Sequence, residues 1–286
     1  MGERVEIVEV GPRDGLQNEA VPVSVPRRIA LVNALSGVGF HRIEVASFVS
    51  PKWVPQMAGS DAVLAGIGRV SGVRYGALVP NLRGFEVAVS ARADEVAVFA
   101  SASEGFSRAN INATIAESLE RFHPVMEAAR GVGIPLRGYV SCVTDCPFEG
   151  PVAPDAVASV ARALRDMGCF EVSLGDTLGR GLPERVDAML AVVLSDFDAQ
   201  AVAGHFHDTG GRALENVAVA LGRGVRVFDA SVAGLGGCPY APGAPGNVAT
   251  LALADFVAAS GYDHGLDTAR LAGATDFARD LVRGMQ

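Results

Sequence analysis

The stretch VEIVEVGPRDG, Val5 to Gly15, decides between two folds. Val5–Val10 is rich in β-branched residues and reads as a strand. In an open, doubly wound sheet, the turn after the first strand carries spaced glycines, so that bare backbone can approach a pyrophosphate. Here that turn is Gly11-Pro12-Arg13-Asp14-Gly15. The dinucleotide fingerprint is missing, and the open sheet loses its main support.

Outward from this turn, short β-rich runs alternate with longer Ala/Leu-rich segments. Eight strand candidates follow: Val5–Val10, Arg42–Ala46, Arg74–Val79, Glu95–Ala100, Leu136–Ser141, Phe170–Leu174, Ala201–His207 and Arg226–Ser231. Helical segments between them include Pro26–Ser36, Ala113–Gly131, Pro154–Met167, Pro183–Leu194 and Arg212–Gly222. Several open on proline and close on glycine, as helix ends prefer. The pattern predicts the α/β class and a closed TIM (β/α)8 barrel with an extra C-terminal helical segment, as one catalytic domain over residues 1–286. In such barrels the active site forms at the carboxyl ends of the strands.

A chain of 286 residues with 49% hydrophobic content can bury a large core. Its net charge of -8 argues against nucleic-acid or anionic-membrane partners, which select for surplus Lys and Arg. Lys52 is the single lysine among 24 basic residues, so Schiff-base chemistry has one candidate amine and metal-assisted chemistry is favoured. Cys142, Cys146, Cys169 and Cys238 form no disulfide framework and no C-x-x-C pair, and the chain opens without a leader-like segment. A cytoplasmic location is expected. The uncharged stretch Ala230 to Ala254 is long enough to cross a bilayer, but Pro239, Pro242 and Pro245 predict a loop leading into a helix.

Polar groups recur at the predicted strand ends. Arg13, Asp14, Gln17 and Asn18 follow the first strand, Glu44 sits on the second and Ser47 follows it, and Asp176 and Thr177 follow the sixth. His205 and His207 end the seventh, and Cys238 and Asn247 lie beyond the eighth. Side chains two apart on a strand share a face, so both imidazoles point to one place. An isolated H-x-H reads equally as two core histidines. With Asp14 and Asn247 nearby, it instead predicts an N,N,O,O ligand set suited to Mg²⁺ or Mn²⁺ rather than structural zinc.

Arg13 reads either as a salt-bridge partner of Asp176 or Glu44, or as a fork for carboxylate or enolate oxygens, and the two roles are compatible. Cys142, Cys146 and Cys169 read as small buried hydrophobes. Cys238, between Gly236-Gly237 and Pro239, reads as an acid/base candidate. The glycines of its loop lack a following Gly-Lys-Ser/Thr and do not make a nucleotide cradle. Trp53 and Met57 are expected to be packing residues.

Five segments carry a family likeness: VEVGPRDGLQNE (Val8–Glu19), EVASFVSPKWVPQM (Glu44–Met57), SLGDT (Ser173–Thr177), HFHDT (His205–Thr209) and VAGLGGCPYAPGAPGN (Val232–Asn247). On these the chain resembles the 3-hydroxy-3-methylglutaryl-CoA lyase family, within the metal-dependent lyases and synthases built on TIM barrels. The resemblance implies a divalent cation, Mg²⁺ or Mn²⁺, held by Asp14, His205, His207 and Asn247. It implies an acyl-CoA thioester substrate and a homodimer. Arg13, His205, Glu44, Asp14 and Cys238 take catalytic roles, with Arg13 near the thioester carbonyl and Cys238 as proton carrier. Arg13, Gln17, Ser47, Asp176 and Thr177 are the candidates for holding substrate. The implied reaction is retro-Claisen cleavage of the hydroxyacyl thioester to acetyl-CoA and acetoacetate, as in leucine degradation. In it, His205 mediates loss of the hydroxyl proton and Cys238 returns one to carbon.

Three departures from the family pattern stand out. Ala20 replaces a lysine after QNE, a regulatory cysteine near the C-terminus is missing, and Gly210 replaces a larger residue, which predicts a roomier pocket for longer or branched acyl groups. A condensing synthase is disfavoured because about forty residues after Asn247 cannot supply a regulatory domain. A non-catalytic CoA-binding barrel is disfavoured because no ligand-type residue is lost.

Overall fold

Each of the eight expected strands pairs in parallel with its sequence neighbours, and the last returns to the first. In the computed structural model, which describes residues 2–236 and 246–283, they are β1 (Glu6–Glu9), β2 (Arg42–Ser47), β3 (Arg74–Leu78), β4 (Glu95–Ser101), β5 (Leu136–Ser141), β6 (Glu171–Asp176), β7 (Val202–Phe206) and β8 (Val227–Ala230). Glu6 to Glu9 of β1 register with Val227 to Ala230 of β8, and this pairing closes the barrel. Closure removes both edges of this sheet, so each barrel strand is paired on both sides.

Helices α1 (Val25–Ser36), α2 (Ser60–Gly66), α3 (Leu82–Ser90), α4 (Glu104–Ile111), α5 (Ile115–Val132), α6 (Pro154–Asp166), α7 (Pro183–Val193), α8 (Ala213–Gly222), α9 (Thr250–Ala259) and α10 (Thr268–Arg283) surround it. Outward strand residues such as Ile7, Ile43, Val98 and Phe228 pack against their apolar stripes in one continuous core. α10 is the expected extra C-terminal segment; it buries Leu271, Ala274, Ala278 and Leu281, and lies against α1.

Local chemistry sets the element ends. α5 starts at Ile115 because Thr114 and Glu117 form a reciprocal capping box, and it stops where Gly133 turns left-handed at φ 72°. β6 runs past the expected Leu174 to Asp176, since Gly175 and Asp176 still register with His205 and Phe206. Asp176 therefore ends a strand rather than opening a loop. Within Ala230–Ala254, α9 begins at Thr250, and no helix among the described residues is long and apolar enough to cross a membrane.

The expectation for Trp53 is corrected. Met57 is buried, but Trp53 is 87% exposed. Its short loop leaves the barrel before the next helix and offers the indole no core to enter.

The barrel interior is ionic as well as apolar. Two small clusters, Val8/Val10/Ala203/Val227 and Leu78/Ala97/Tyr139, leave room for a buried ladder of charges. Arg42 bonds Glu6 (2.9 Å) and Glu171 (2.8 Å), Arg137 bonds Glu171 (2.7 Å) and Asp229 (2.8 Å), and Asp229 meets His205 (3.1 Å). The alternating signs compensate desolvation step by step, which an unpaired charge in that space could not do.

Candidate active site

The turn after β1 aims its charged pair into the barrel mouth. The N–H groups of Asp14 (2.7 Å) and Gly15 (3.3 Å) both donate to the Val10 carbonyl, making a single widened π-type turn. Gly15 permits this, because a Cβ there would stand 2.8 Å from both the Leu235 Cβ and the Ser231 Oγ. The turn thus packs directly on the segment that follows β8.

Arg13 is buried and donates through Nε to Glu44 Oε2 (2.6 Å) and through Nη1 to Asp14 Oδ1 (2.6 Å). Of the two salt-bridge partners expected from sequence, Glu44 is used and Asp176 is not; Asp14 takes the second place on Arg13. Glu44 is aimed by an irregularity in β2, where the register with β3 shifts between Glu44 and Ala46. Burial pushes the Glu44 carboxyl up against the pull of Arg13. Burial also opposes the Arg13 charge, but Glu44 and Asp14 outweigh it and hold the guanidinium firmly protonated.

Asp14, His205 and His207 present ligand atoms that all lie within 4.8 Å of one another. The His205 and His207 Nε2 atoms are 3.3 Å apart, and Asp14 Oδ2 is 3.8 Å from His205 Nε2. Phe206, between the histidines, points the other way into the outer core. Burial alone would raise the Asp14 carboxyl, yet Arg13 and the two imidazoles keep it at about 2. Burial and the neighbouring His205 depress His207 to about 4. For His205, burial is outweighed by Asp229, which raises it.

Asn247 joins from far along the chain. The segment after residue 245 returns to the barrel: Asp208 N–H donates to Gly246 O (2.7 Å), His207 bridges Asn247, and Val248 N–H donates to Phe206 O (3.1 Å). Asn247 Nδ2 donates to Asp14 Oδ2 (2.7 Å) and to the Leu235 carbonyl (3.2 Å).

A cavity of about 820 Å³ opens above this cluster, lined by Arg13, Asp14, Gln17, Asn18, Thr177, His205 and His207, among others. Ser47, Glu44 and Asp176 are not in its lining. Asp176 is fully buried, its oxygens taken by Thr144 Oγ1 (3.0 Å) and the Gly181 N–H (2.8 Å). Ser47 is buried, with its backbone N–H on Ser60 Oγ (3.3 Å). Cys238 lies outside the described residues. Gly210 packs on Gly179, where an added Cβ would meet the carbonyl oxygen at 2.8 Å, and it does not line the cavity. The pocket is therefore not widened by that glycine.

Sequence reasoning missed several contributors. Asp229, Arg137 and Tyr139 stand inside the barrel, and their only sequence signal is charge or hydroxyl at inward positions of β8 and β5. Asn110, Asn112, Arg121 and the exposed Trp53 form the outer part of the cavity wall. Asn110 and Asn112 sit at the end of α4, Arg121 lies within α5, and Trp53 is in the loop after β2.

The description HMGL-like fits residues 4–278, nearly the whole chain. The chain belongs to the HMGL-like family. It is 57% identical over 93% of its length to the hydroxymethylglutaryl-CoA lyase of Pseudomonas mevalonii, covering 88% of that protein. It is 58% identical over 87% of its length to a Pseudomonas aeruginosa protein named 3-hydroxy-3-isohexenylglutaryl-CoA/hydroxy-methylglutaryl-CoA lyase, covering 83% of it. The crystal structure of the HMG-CoA lyase from Brucella melitensis superimposes with a TM-score of 0.97 at 59% identity, covering 98% of this chain and 99% of that one.

For this HMGL-like chain the donor set fits a divalent cation. One carboxylate from the turn after β1 and two imidazole nitrogens from the end of β7 and the residue just past it converge, and the nitrogens face each other at 3.3 Å, where a single proton can serve only one of them. A hard cation that accepts mixed O/N ligands and keeps open positions matches this set. Asn247 would contribute Oδ1 by turning its amide end over end, which leaves the outline of the side chain unchanged.

Proposed function

We propose that the protein is a carbon–carbon lyase that cleaves 3-hydroxy-3-methylglutaryl-CoA to acetyl-CoA and acetoacetate by retro-Claisen chemistry. The observation that carries this reading is the meeting of Asp14, His205, His207 and Asn247 beside a fixed arginine at the floor of one cavity. A family likeness over residues 4–278 supports it.

The reaction passes the C3 hydroxyl proton to solvent, breaks the C2–C3 bond so that C3 becomes the ketone carbonyl, and leaves the electron pair of that bond on C2 as the enolate of the acetyl thioester. C2 then takes up a proton. Mg²⁺ or Mn²⁺, when bound by Asp14, His205, His207 and Asn247, supplies Lewis acidity that makes the hydroxyl easier to ionise and offsets the charge of the substrate carboxylate. Arg13 cannot swing away, being tied to Glu44 and Asp14, and its remaining N–H groups are preorganised for the thioester oxygen on which charge develops. His205 has Nδ1 committed to Asp229, so Nε2 is its one nitrogen for the site, and a holding role replaces proton transfer. Glu44 orients Arg13 from below. Cys238 serves as the proton carrier for C2, and Gln17 and Thr177, on the cavity wall, hold polar parts of the substrate. The assembly is a homodimer.

The test is release of acetyl-CoA from the purified protein given the thioester with Mg²⁺ or Mn²⁺. EDTA abolishes it, and Cys238→Ala lowers turnover by about 10²-fold or more. Full turnover without any divalent ion refutes the reading. Because the cavity is large and one relative is named for an isohexenyl substrate, the assay includes 3-hydroxy-3-alkylglutaryl thioesters of increasing length; turnover of the long members places this chain with that second specificity.

A further inference from the structure

Below the cluster, on the side away from the cavity, the buried Asp229 carboxylate is the junction between the barrel's ion ladder and His205. Its Oδ1 accepts from Arg137 Nη2 (2.8 Å). Its Oδ2 accepts from Ser173 Oγ (2.7 Å) and lies 3.1 Å from His205 Nδ1. All four side chains are buried. We propose that Asp229, held by Arg137 and Ser173, is a positioning residue that fixes His205 as the Nδ1–H tautomer, so that the Nε2 lone pair faces Asp14 and His207. The inference rests on the reading of that cluster as a divalent-cation site.

The geometry leaves little alternative. An ionised carboxylate only accepts, so the nitrogen facing Asp229 must carry hydrogen, and a neutral imidazole then has its lone pair on Nε2. That nitrogen is 3.8 Å from Asp14 Oδ2 and 3.3 Å from His207 Nε2. Carboxylate partners of ligating histidines set both ring orientation and basicity. Arg137 makes the arrangement intolerant of an amide at position 229. Arg137 only donates, so the oxygen of an asparagine must face it, and the NH₂ is left facing His205. The imidazole must then accept through Nδ1 and carry its hydrogen on Nε2, the nitrogen that has to ligate. This resembles the wrong-tautomer effect of an amide behind a catalytic histidine.

The experiment measures Mn²⁺ binding by EPR of the free ion, on protein whose fold in EDTA is checked by circular dichroism. Asp229→Asn raises the Mn²⁺ Kd by about 10- to 100-fold. His205→Asn raises it too, and the double variant is no weaker than His205→Asn within about twofold, because Asp229 acts through that ring. Folded Asp229→Asn with wild-type Mn²⁺ affinity, or losses that add fully in the double variant, overturns the proposal. Should Asp229→Asn fail to fold, long-range ¹H–¹⁵N NMR of wild-type protein labelled on histidine, saturated with Mg²⁺, decides instead. Hydrogen on Nδ1 of His205 supports the proposal and hydrogen on Nε2 overturns it. Wild-type protein that binds no Mn²⁺ defeats the cation reading itself, and the same spectrum separates that result from failure of the Asp229–His205 pair.

Discussion

Arg13 Nε lies 2.6 Å from Glu44 Oε2; both side chains are buried, Arg13 in the cavity floor and Glu44 outside its lining. The pair joins the turn after β1 to the bulged strand β2. Removing one partner has two separable effects. Arg13→Met is expected to lower turnover by about 10²- to 10³-fold and to cost about 3–5 kcal/mol of stability by leaving Glu44 unpaired. Arg13→Met/Glu44→Gln recovers much of the stability and none of the turnover. Calorimetry and acetyl-CoA release on the two variants check this; recovery of activity in the double variant would sink the electrostatic role of Arg13.

Cation binding should be visible in unfolding as well as in catalysis. The ligand atoms come from the turn after β1, from the end of β7 and from the segment after residue 245, so the unfolded chain has no assembled site to compete. At a Mn²⁺ concentration a hundred times Kd, the protein gains about 2.7 kcal/mol against urea. Asp14→Asn removes the charged ligand and should abolish the gain. An equal Mn²⁺ shift in wild type and variant counts against the site.

Glu9 gives a pH-dependent signal of known sign. It is fully buried and accepts from the Gly11 N–H (2.8 Å), the Val232 N–H (2.9 Å) and Thr250 Oγ1 (2.7 Å). Burial outweighs these bonds and raises its carboxyl from 4.5 to about 7. The folded state therefore holds the proton more tightly than the unfolded chain. Its contribution is complete below pH 4.5 and is lost as pH rises through 7, a loss of roughly 3 kcal/mol. Glu9→Gln removes this titration, so urea denaturation should show the variant gaining on wild type between pH 5 and pH 8. A constant difference across that range would refute the assignment.

Gly179 is where backbone meets backbone beside the histidines. It has φ +60°, and a Cβ there would stand 2.8 Å from Thr209 N and 2.9 Å from the His207 carbonyl carbon. Neither atom belongs to a flexible side-chain end. Gly179→Ala should therefore cost about 1–3 kcal/mol and weaken cation binding by displacing His207, measured by denaturation and by EPR titration of Mn²⁺. Substitution at Gly133 is the contrast, since its φ is also positive but nothing lies within 4 Å of an added Cβ; strain without loss of cation affinity is expected.

Much of the site could be read from sequence because of its local rules. His205 and His207 share a face through strand periodicity, and the GPRDG turn follows a strand whatever the barrel does around it. The reading faltered where position depended on the third dimension. Asp176 looked like a loop residue open to substrate, yet pairing of β6 with β7 draws it into the strand and under Thr144 and Gly181. Trp53 looked like core, yet its loop leaves it 87% exposed beside the cavity. Gly210 looked like pocket space, yet it is spent on contact with Gly179.

The amino-acid order by itself determined the alternation of strands and helices, the barrel class, and the residue types available as ligands, because periodicity, capping and turn chemistry act over a few residues. Only the tertiary structure decided which distant groups meet. Pairing of β8 with β7 sets Asp229 opposite His205, pairing of β1 with β2 places Glu44 under Arg13, and closure of β8 on β1 lets the segment after β8 carry Asn247 back to Asp14 from 233 positions away. Contacts of that kind depend on how the sheet closes in space, which no short window of sequence encodes.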